Sequence, residues 1–360
     1  MMNTMNFEQI VLAHAEKYPI MQAQDYVKLA YQAAFGCGHM ASGFENALVR
    51  VRSECAGDGC SARVEDIGNG YARLYLTGGE YPLSSETAAR MFILSAEAAA
   101  EESKEAFFAF LKTLTDLSRE RKIAPTEAEM KEKIHSVQDN NFAPVSHTEV
   151  YRAAYHPAYR VVKAEYARHI SLISKLDELK RTKTGAIVSI DGMCASGKTT
   201  LSKLLGDILD APVYHMDDFF LPPVKRTKER LSEVGGNVDY ERFKKDVLNP
   251  LLLKKPFSFQ PFDCSKMDFG EPILSQSAPL SIVEGSYACH PTLESDYDLK
   301  IFLSIDPELQ LERIRARNGD RMLERFKNEW IPMENRYFEA FDVKQKADYR
   351  IHIQKETSLP

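Results

Sequence analysis

Gly192-Met193-Cys194-Ala195-Ser196-Gly197-Lys198-Thr199 is the stretch that decides the fold. Its spacing, GxxxxGK[ST], is that of a phosphate-binding loop. The apolar run Ala186–Ile190 feeds it, and Thr199-Thr200-Leu201 opens a helical pattern that runs to about Leu209. Strand, loop and helix in that order are what such a loop requires. Glycines let the backbone wrap tightly, so that successive N–H groups point at phosphate oxygens. The helix N-terminus adds a positive dipole end. The loop residues Gly192, Cys194, Ala195, Ser196, Gly197, Lys198, Thr199 and Thr200 are therefore expected to hold the phosphates of ATP. Lys198 is expected on the β- and γ-phosphates and the Thr199 hydroxyl on Mg²⁺.

Working outward, short apolar runs alternate with helical patterns through the C-terminal half, at 186–190, 213–216, 281–283, 299–304 and 349–353. The runs at 186–190 and 280–283 lack polar alternation, as strands buried on both faces do. This predicts an α/β unit of the P-loop NTPase kind, with a doubly wound parallel sheet. Acidic residues at strand ends then face the ligand crevice. Asp217, after the run at 213–216, is placed to take a proton from an attacking hydroxyl and to touch the metal. Glu284, closing Ile282-Val283-Glu284-Gly285, suits a Mg²⁺ ligand beside the loop. Arg313 and Arg317 are four apart on one helix face, and Arg321 follows the break expected at Gly319. Arginines on such a segment can close over phosphates.

These motifs together resemble the uridine kinase, phosphoribulokinase and pantothenate kinase group of P-loop kinases. The resemblance rests on Gly192–Thr199, Met216-Asp217-Asp218-Phe219-Phe220, Asn237-Val238-Asp239-Tyr240, Val283-Glu284-Gly285, the Arg313/Arg317/Arg321 segment and Lys346-Ala347-Asp348, and covers 185–356. It implies transfer of the ATP γ-phosphoryl to a hydroxyl of a small, nucleoside-like acceptor. It further implies that Asp217 is the base, that Thr199, Asp217 and Glu284 surround Mg²⁺, and that Asp239 meets sugar hydroxyls. Phe262 stands where uridine kinases carry a Tyr that reads the base, and Met267 where they carry a His. Phe262 can stack on a ring, but Met267 cannot donate a hydrogen bond as His does. A second class of function stays open: a nucleotide-binding regulator whose P-loop unit controls a partner-binding N-terminal unit.

The 360 residues suggest two domains. The polar segment Leu179-Lys180-Arg181-Thr182-Lys183-Thr184 places the boundary, giving 1–182 and 183–360. The first is expected to be a mainly helical α+β domain, with helices over 25–35, 85–100, 104–120 and 126–136 and a strand at 72–76. It carries no catalytic motif of known mechanics. His39, after Gly36-Cys37-Gly38, and His147 are read as ordinary surface histidines, and as first suspects if this half is a second enzyme. Tyr151, Tyr155, Tyr159 and Tyr166 read as a packing seam near one helix face, interrupted at Pro157.

Composition narrows the class. The net charge is −6, from 46 basic and 52 acidic residues, so no nucleic-acid partner is expected. No apolar run approaches the ~18 residues of a membrane span. The first residues lack the charged and apolar regions of a signal peptide. Six cysteines without a CxxC pair suit free thiols in a cytoplasmic protein. Self-association into a homo-oligomer stays open.

Overall fold

The computed structural model describes residues 6–38, 43–55, 57–97 and 104–355. His39 lies outside the described residues. The chain divides into two compact units, one ending at Lys175 and one beginning at Leu176.

The first unit opens with helices α1 (Phe7–Lys17), α2 (Ala23–Phe35) and α3 (Phe44–Cys55). Strands β1 (Gly59–Gly68), β2 (Tyr71–Tyr75) and β3 (Tyr81–Ser84) come next, then α4 (Ser85–Glu97), α5 (Lys104–Arg119), α6 (Glu127–Asp139) and α7 (Glu149–Tyr155). Strand β4 (Tyr159–Lys163) and α8 (Ala164–Arg168) follow, and α9 (Ile170–Thr182) begins in the first unit and ends in the second. The strands form one antiparallel sheet in the order β3-β1-β2-β4. Local chemistry sets the helix ends. Gly36, at φ 62°, stops α2. Thr126 and Glu129 cap α6 reciprocally.

The structure departs from four expectations. The residues 179–184, read as a domain boundary, are the last turn of α9 with the two residues after it, and the units part within that helix. Lys180 and Arg181 sit in its last turn, where cations complement the helix dipole; their polarity marks a helix end rather than a linker. The four tyrosines do not share a helix face. Tyr151 and Tyr155 lie on α7, Tyr159 on β4 and Tyr166 on α8, because His156 turns left-handed at φ 42° before Pro157. His147 is no surface residue: it is 5% exposed. Cys55 and Cys60 are joined in a disulfide, since the turn from α3 into β1 brings their Cα atoms to 5.2 Å, within bridging range. Free thiols are therefore not the state of all six cysteines.

The second unit carries the predicted parallel sheet. Its elements are β5 (Ala186–Gly192), α10 (Lys198–Leu209), β6 (Val213–His215), the short helices α11 (Lys228–Ser232), α12 (Tyr240–Phe243) and α13 (Asn249–Leu252), and the short strands β7 (Phe257–Phe259), β8 (Phe262–Asp263), β9 (Asp268–Phe269) and β10 (Ile273–Ser275). Then come β11 (Leu280–Glu284), β12 (Leu299–Ile305), α14 (Pro307–Arg325), α15 (Ile331–Ala340), α16 (Val343–Lys346) and β13 (Tyr349–Ile353). Five parallel strands pair in the order β13-β12-β5-β11-β6. Every residue of β5 and β11 is buried, which is why neither shows polar alternation. The order places the C-terminal ends of β5, β11 and β6 side by side, and there the loops gather.

Candidate active site

The phosphate loop leaves β5 through Gly192 and enters α10 through Gly197. Each glycine has its own reason. At Gly192, φ 142°, an added Cβ would lie 2.1 Å from the Leu303 carbonyl oxygen. At Gly197 there is open space, but φ is 97°, a conformation that side chains resist. Ala195 takes the left-handed region as well, at φ 59°. The first amides of α10, from Lys198, Thr199 and Thr200, are those a helix leaves without an internal partner, and they open beside the loop as an anion-binding end.

Side chains brace this loop from behind. Asp191, fully buried at the end of β5, accepts from the Gly192 amide at 2.6 Å, the Cys289 amide at 2.9 Å and the Tyr337 hydroxyl at 2.8 Å. Burial still pushes its carboxyl up to about 6, against those donors and Lys198. Glu334, on α15, accepts from the Cys194 amide at 2.8 Å and the Ser286 hydroxyl at 2.6 Å. Gln310, on α14, donates to the Cys194 carbonyl at 3.0 Å. Ser196 keeps a buried hydroxyl with no hydrogen-bond partner, an orphan inside the loop of the kind a bound phosphate group can satisfy.

The chemistry faces the other way. Lys198 Nζ donates to the carbonyls of Gly192 at 2.7 Å and Met193 at 3.1 Å, and to Ser286 Oγ at 3.3 Å. The Thr199 hydroxyl donates to Glu284 Oε1 at 3.2 Å. The same oxygen lies 2.6 Å from His215 Nδ1, and this bond raises the His215 pKa. Asp217 opens the short turn after β6 and reaches solvent. Partial desolvation and then the Glu284 charge hold its carboxyl above the usual range, against Lys198 and His215. Thus Lys198, Thr199, Asp217 and Glu284, expected together from the sequence, share one electrostatic environment across three strand ends.

The remaining expected residues divide. Arg313 Nη1 donates to the Ala195 carbonyl at 3.2 Å, so it reaches the loop. Arg317 instead donates to its neighbour Asn318, and Arg321 is exposed. Gly319, at φ 77°, breaks α14 between them. Asp239 is fully buried, caps α12 and pairs with Lys225 Nζ at 2.8 Å. Arg242 ties it to the acidic turn by donating to the Asp218 carbonyl at 2.9 Å while lying 3.7 Å from Asp239. Phe262 is 4% exposed and meets Phe269 edge-on; the open ring face expected of it is covered here.

Sequence reasoning missed Asp191, Ser286, Gln310 and Glu334. Asp191 had a signal, a carboxylate ending an apolar strand. Glu334 had none, because it meets Cys194 across 140 positions of chain.

Among the described residues, no three His, Cys, Asp or Glu side chains form a cluster able to hold a metal by themselves. Mg²⁺ does not need one. It keeps several waters and takes one or two carboxylates together with substrate phosphates. The adjoining Thr199 hydroxyl and Glu284 carboxylate are hard oxygen donors of that kind, with Asp217 close by, and they fit.

No family model matches the chain, and no curated protein matches it. Solved structures do resemble it over about half its length. A protein described as a possible uridine kinase from Bacillus stearothermophilus is 19% identical, over 50% of this chain and 98% of its own, with a TM-score of 0.38. A protein from Silicibacter sp. TM1040, provisionally described as a fructose transport system kinase, is 21% identical over 50% of this chain and 97% of its own, with a TM-score of 0.40. Shikimate kinase from Acinetobacter baumannii is 19% identical over 48% of this chain and 86% of its own, with a TM-score of 0.28. The strand order and the loop geometry of the chain itself make its second unit a P-loop α/β fold.

Proposed function

We propose that the second unit transfers the γ-phosphoryl of ATP to a hydroxyl of a small, nucleoside-like metabolite. The observation that carries this reading is the meeting of Lys198, Thr199, Glu284 and Asp217 at the C-terminal ends of β5, β11 and β6.

The loop amides and Lys198 hold the β- and γ-phosphates. Thr199, Glu284 and Asp217 would hold Mg²⁺, which neutralises charge on the phosphate oxygens. Asp217 accepts the proton of the acceptor hydroxyl; a carboxylate held above its usual range is the better base near neutral pH. Arg313 lies on the loop and stabilises charge on the transferring group, and Arg317 and Arg321 join it when the segment beyond Gly319 closes. Asp239 sits beside the acidic turn through Arg242, where an acceptor would lie. Its hydrogen-bonding capacity is released to a sugar hydroxyl when Lys225, half exposed, swings away. Phe262 would stack on a base only after parting from Phe269.

The test is ADP release from Mg-ATP across nucleosides, pantothenate and phosphorylated sugars, with Lys198→Ala as control. Acceptor-dependent turnover that Lys198→Ala loses supports the reading. A blank panel with ATP still bound would overturn it in favour of a nucleotide-sensing regulator.

A further inference from the structure

The interior of the first unit holds polar groups with no part in phosphoryl transfer. Arg73, on β2, is fully buried. Its Nε and Nη2 donate to Gln32 Oε1 at 3.1 and 2.8 Å. Its Nη1 stands 3.6 Å from Glu65 Oε2 and makes no hydrogen bond. Glu65, on β1, already accepts from Tyr18 at 2.8 Å, Tyr75 at 3.0 Å and Lys17. His14 gives its Nδ1 proton to the Ile10 carbonyl, a tautomer assigned from that partner. Its Nε2 is left 3.3 Å from Glu65 without a bond. The hydroxyl of Tyr151, also fully buried, has no partner either, and the Tyr151 ring lies 5.6 Å from that of Tyr18, which bonds Glu65. Two buried polar atoms, from α1 and β2, thus face the Glu65 carboxylate within ion-pair distance but without a hydrogen bond, and a third, on α7, stands unpartnered in the same core.

The cluster has a rigid back wall. Tyr151 stacks on His147 at 4.1 Å. His147 Nδ1 lies 2.9 Å from Asp25, and its Nε2 lies 2.7 Å from the Tyr159 hydroxyl, which in turn accepts from Gln32 at 3.2 Å. Tyr155, half exposed, packs on both Tyr18 and Tyr151 and forms the solvent side. A folded core gains nothing from such a set: apolar side chains of the same volume would cost less than buried charges with unmade hydrogen bonds. Rules broken without local compensation mark functional positions.

Charge selects the ligand. Arg73, Lys17 and Lys28 bring cations to the cluster, and Arg152 lies within electrostatic reach of Lys28; Glu65 and Asp25 are the facing anions. Burial pushes Lys28 down to about 8, with the Arg73 and Arg152 charges adding to it against Asp25. We propose that the first unit is a second small-molecule site, where Arg73 Nη1 and the Tyr151 hydroxyl bind the oxyanion of a carboxylate- or phosphate-bearing metabolite.

The test uses the full chain carrying Lys198→Ala, so that the phosphate loop is disabled. Inorganic phosphate and malonate are titrated calorimetrically, with and without Tyr151→Phe. The expected result is binding that Tyr151→Phe weakens about tenfold or more, as loss of a charge-assisted hydrogen bond does. Because the hydroxyl is unpartnered in the free protein, the same change should leave the melting temperature equal or higher. Tighter phosphate binding assigns a phosphoryl ligand and tighter malonate binding a carboxylate. Absence of binding by both probes, or binding untouched by Tyr151→Phe, would overturn the proposal.

Discussion

The Thr199 hydroxyl donates to Glu284 Oε1 at 3.2 Å, and His215 Nδ1 holds that same oxygen at 2.6 Å. One carboxylate therefore ties the phosphate loop to the ends of β11 and β6. Glu284→Gln keeps the shape but removes the charge. The half-saturating Mg²⁺ concentration should rise about 10- to 100-fold, the usual cost of disturbing a metal site, while ATP binding without metal changes little. Turnover titrated against Mg²⁺ reads this directly; an unchanged midpoint would move the metal off Glu284.

Asp217 differs from Glu284 in being exposed where Glu284 is buried. It lies at the open end of the site, and Asp217→Asn removes its proton-accepting ability with little change in volume. Turnover should fall at least ~10²-fold, with nucleotide affinity kept. A near-normal rate, measured alongside nucleotide binding by calorimetry, would place the base elsewhere.

Glu334 acts through others. It accepts from the Cys194 amide and from Ser286, and Ser286 in turn accepts from Lys198 at 3.3 Å. A glutamine at 334 presents one acceptor where the carboxylate presents two. Glu334→Gln should lower stability by about 1–3 kcal/mol, the cost of an unmet buried donor. It should also raise the KM for ATP more than it lowers kcat, because the loop loosens while Asp217 is untouched. A fall in kcat alone would contradict a positioning role.

Legibility in the sequence depends on where the information lies. The loop, its flanking strand and helix, and the acids at 217 and 284 are local patterns, and the structure brings them to one crevice. The strands β5, β11 and β12 were readable because they are short, buried apolar runs, and the half-buried edge strands β6 and β13 because they continue the alternation of strand and helix. The braces were not: Glu334 and Gln310 reach Cys194 from helices more than a hundred positions away. The tyrosines of 151–166 misled because spacing alone suits a helix, whereas His156 and Pro157 turn the chain into a strand. Strands β1, β3 and β4 escaped as well. The partner of β4 is distant in sequence, with Tyr75 opposite Tyr159, whereas β1 and β3 pair with near neighbours in the chain and lack a clean apolar alternation.

His147 is the clearest such case, since a histidine next to Ser146 and Thr148 reads as a surface loop. In the fold it is 5% exposed. Burial pushes its pKa down to about 4, even though the bond to Asp25 pulls the other way. The unfolded chain would bind a proton on this ring near 6.5 while the folded chain refuses it. Stability from the neutral ring is thus full above about 6.5 and drains away as pH falls toward 4. That difference corresponds to on the order of 3 kcal/mol. His147→Gln cannot titrate, so its stability relative to the parent should improve steadily across that window. Calorimetric melts at pH 7, 6, 5 and 4.5 read this. A constant gap between the two proteins would mean that the imidazole stays exchangeable with water and that the polar core of the first unit opens more freely than its packing implies.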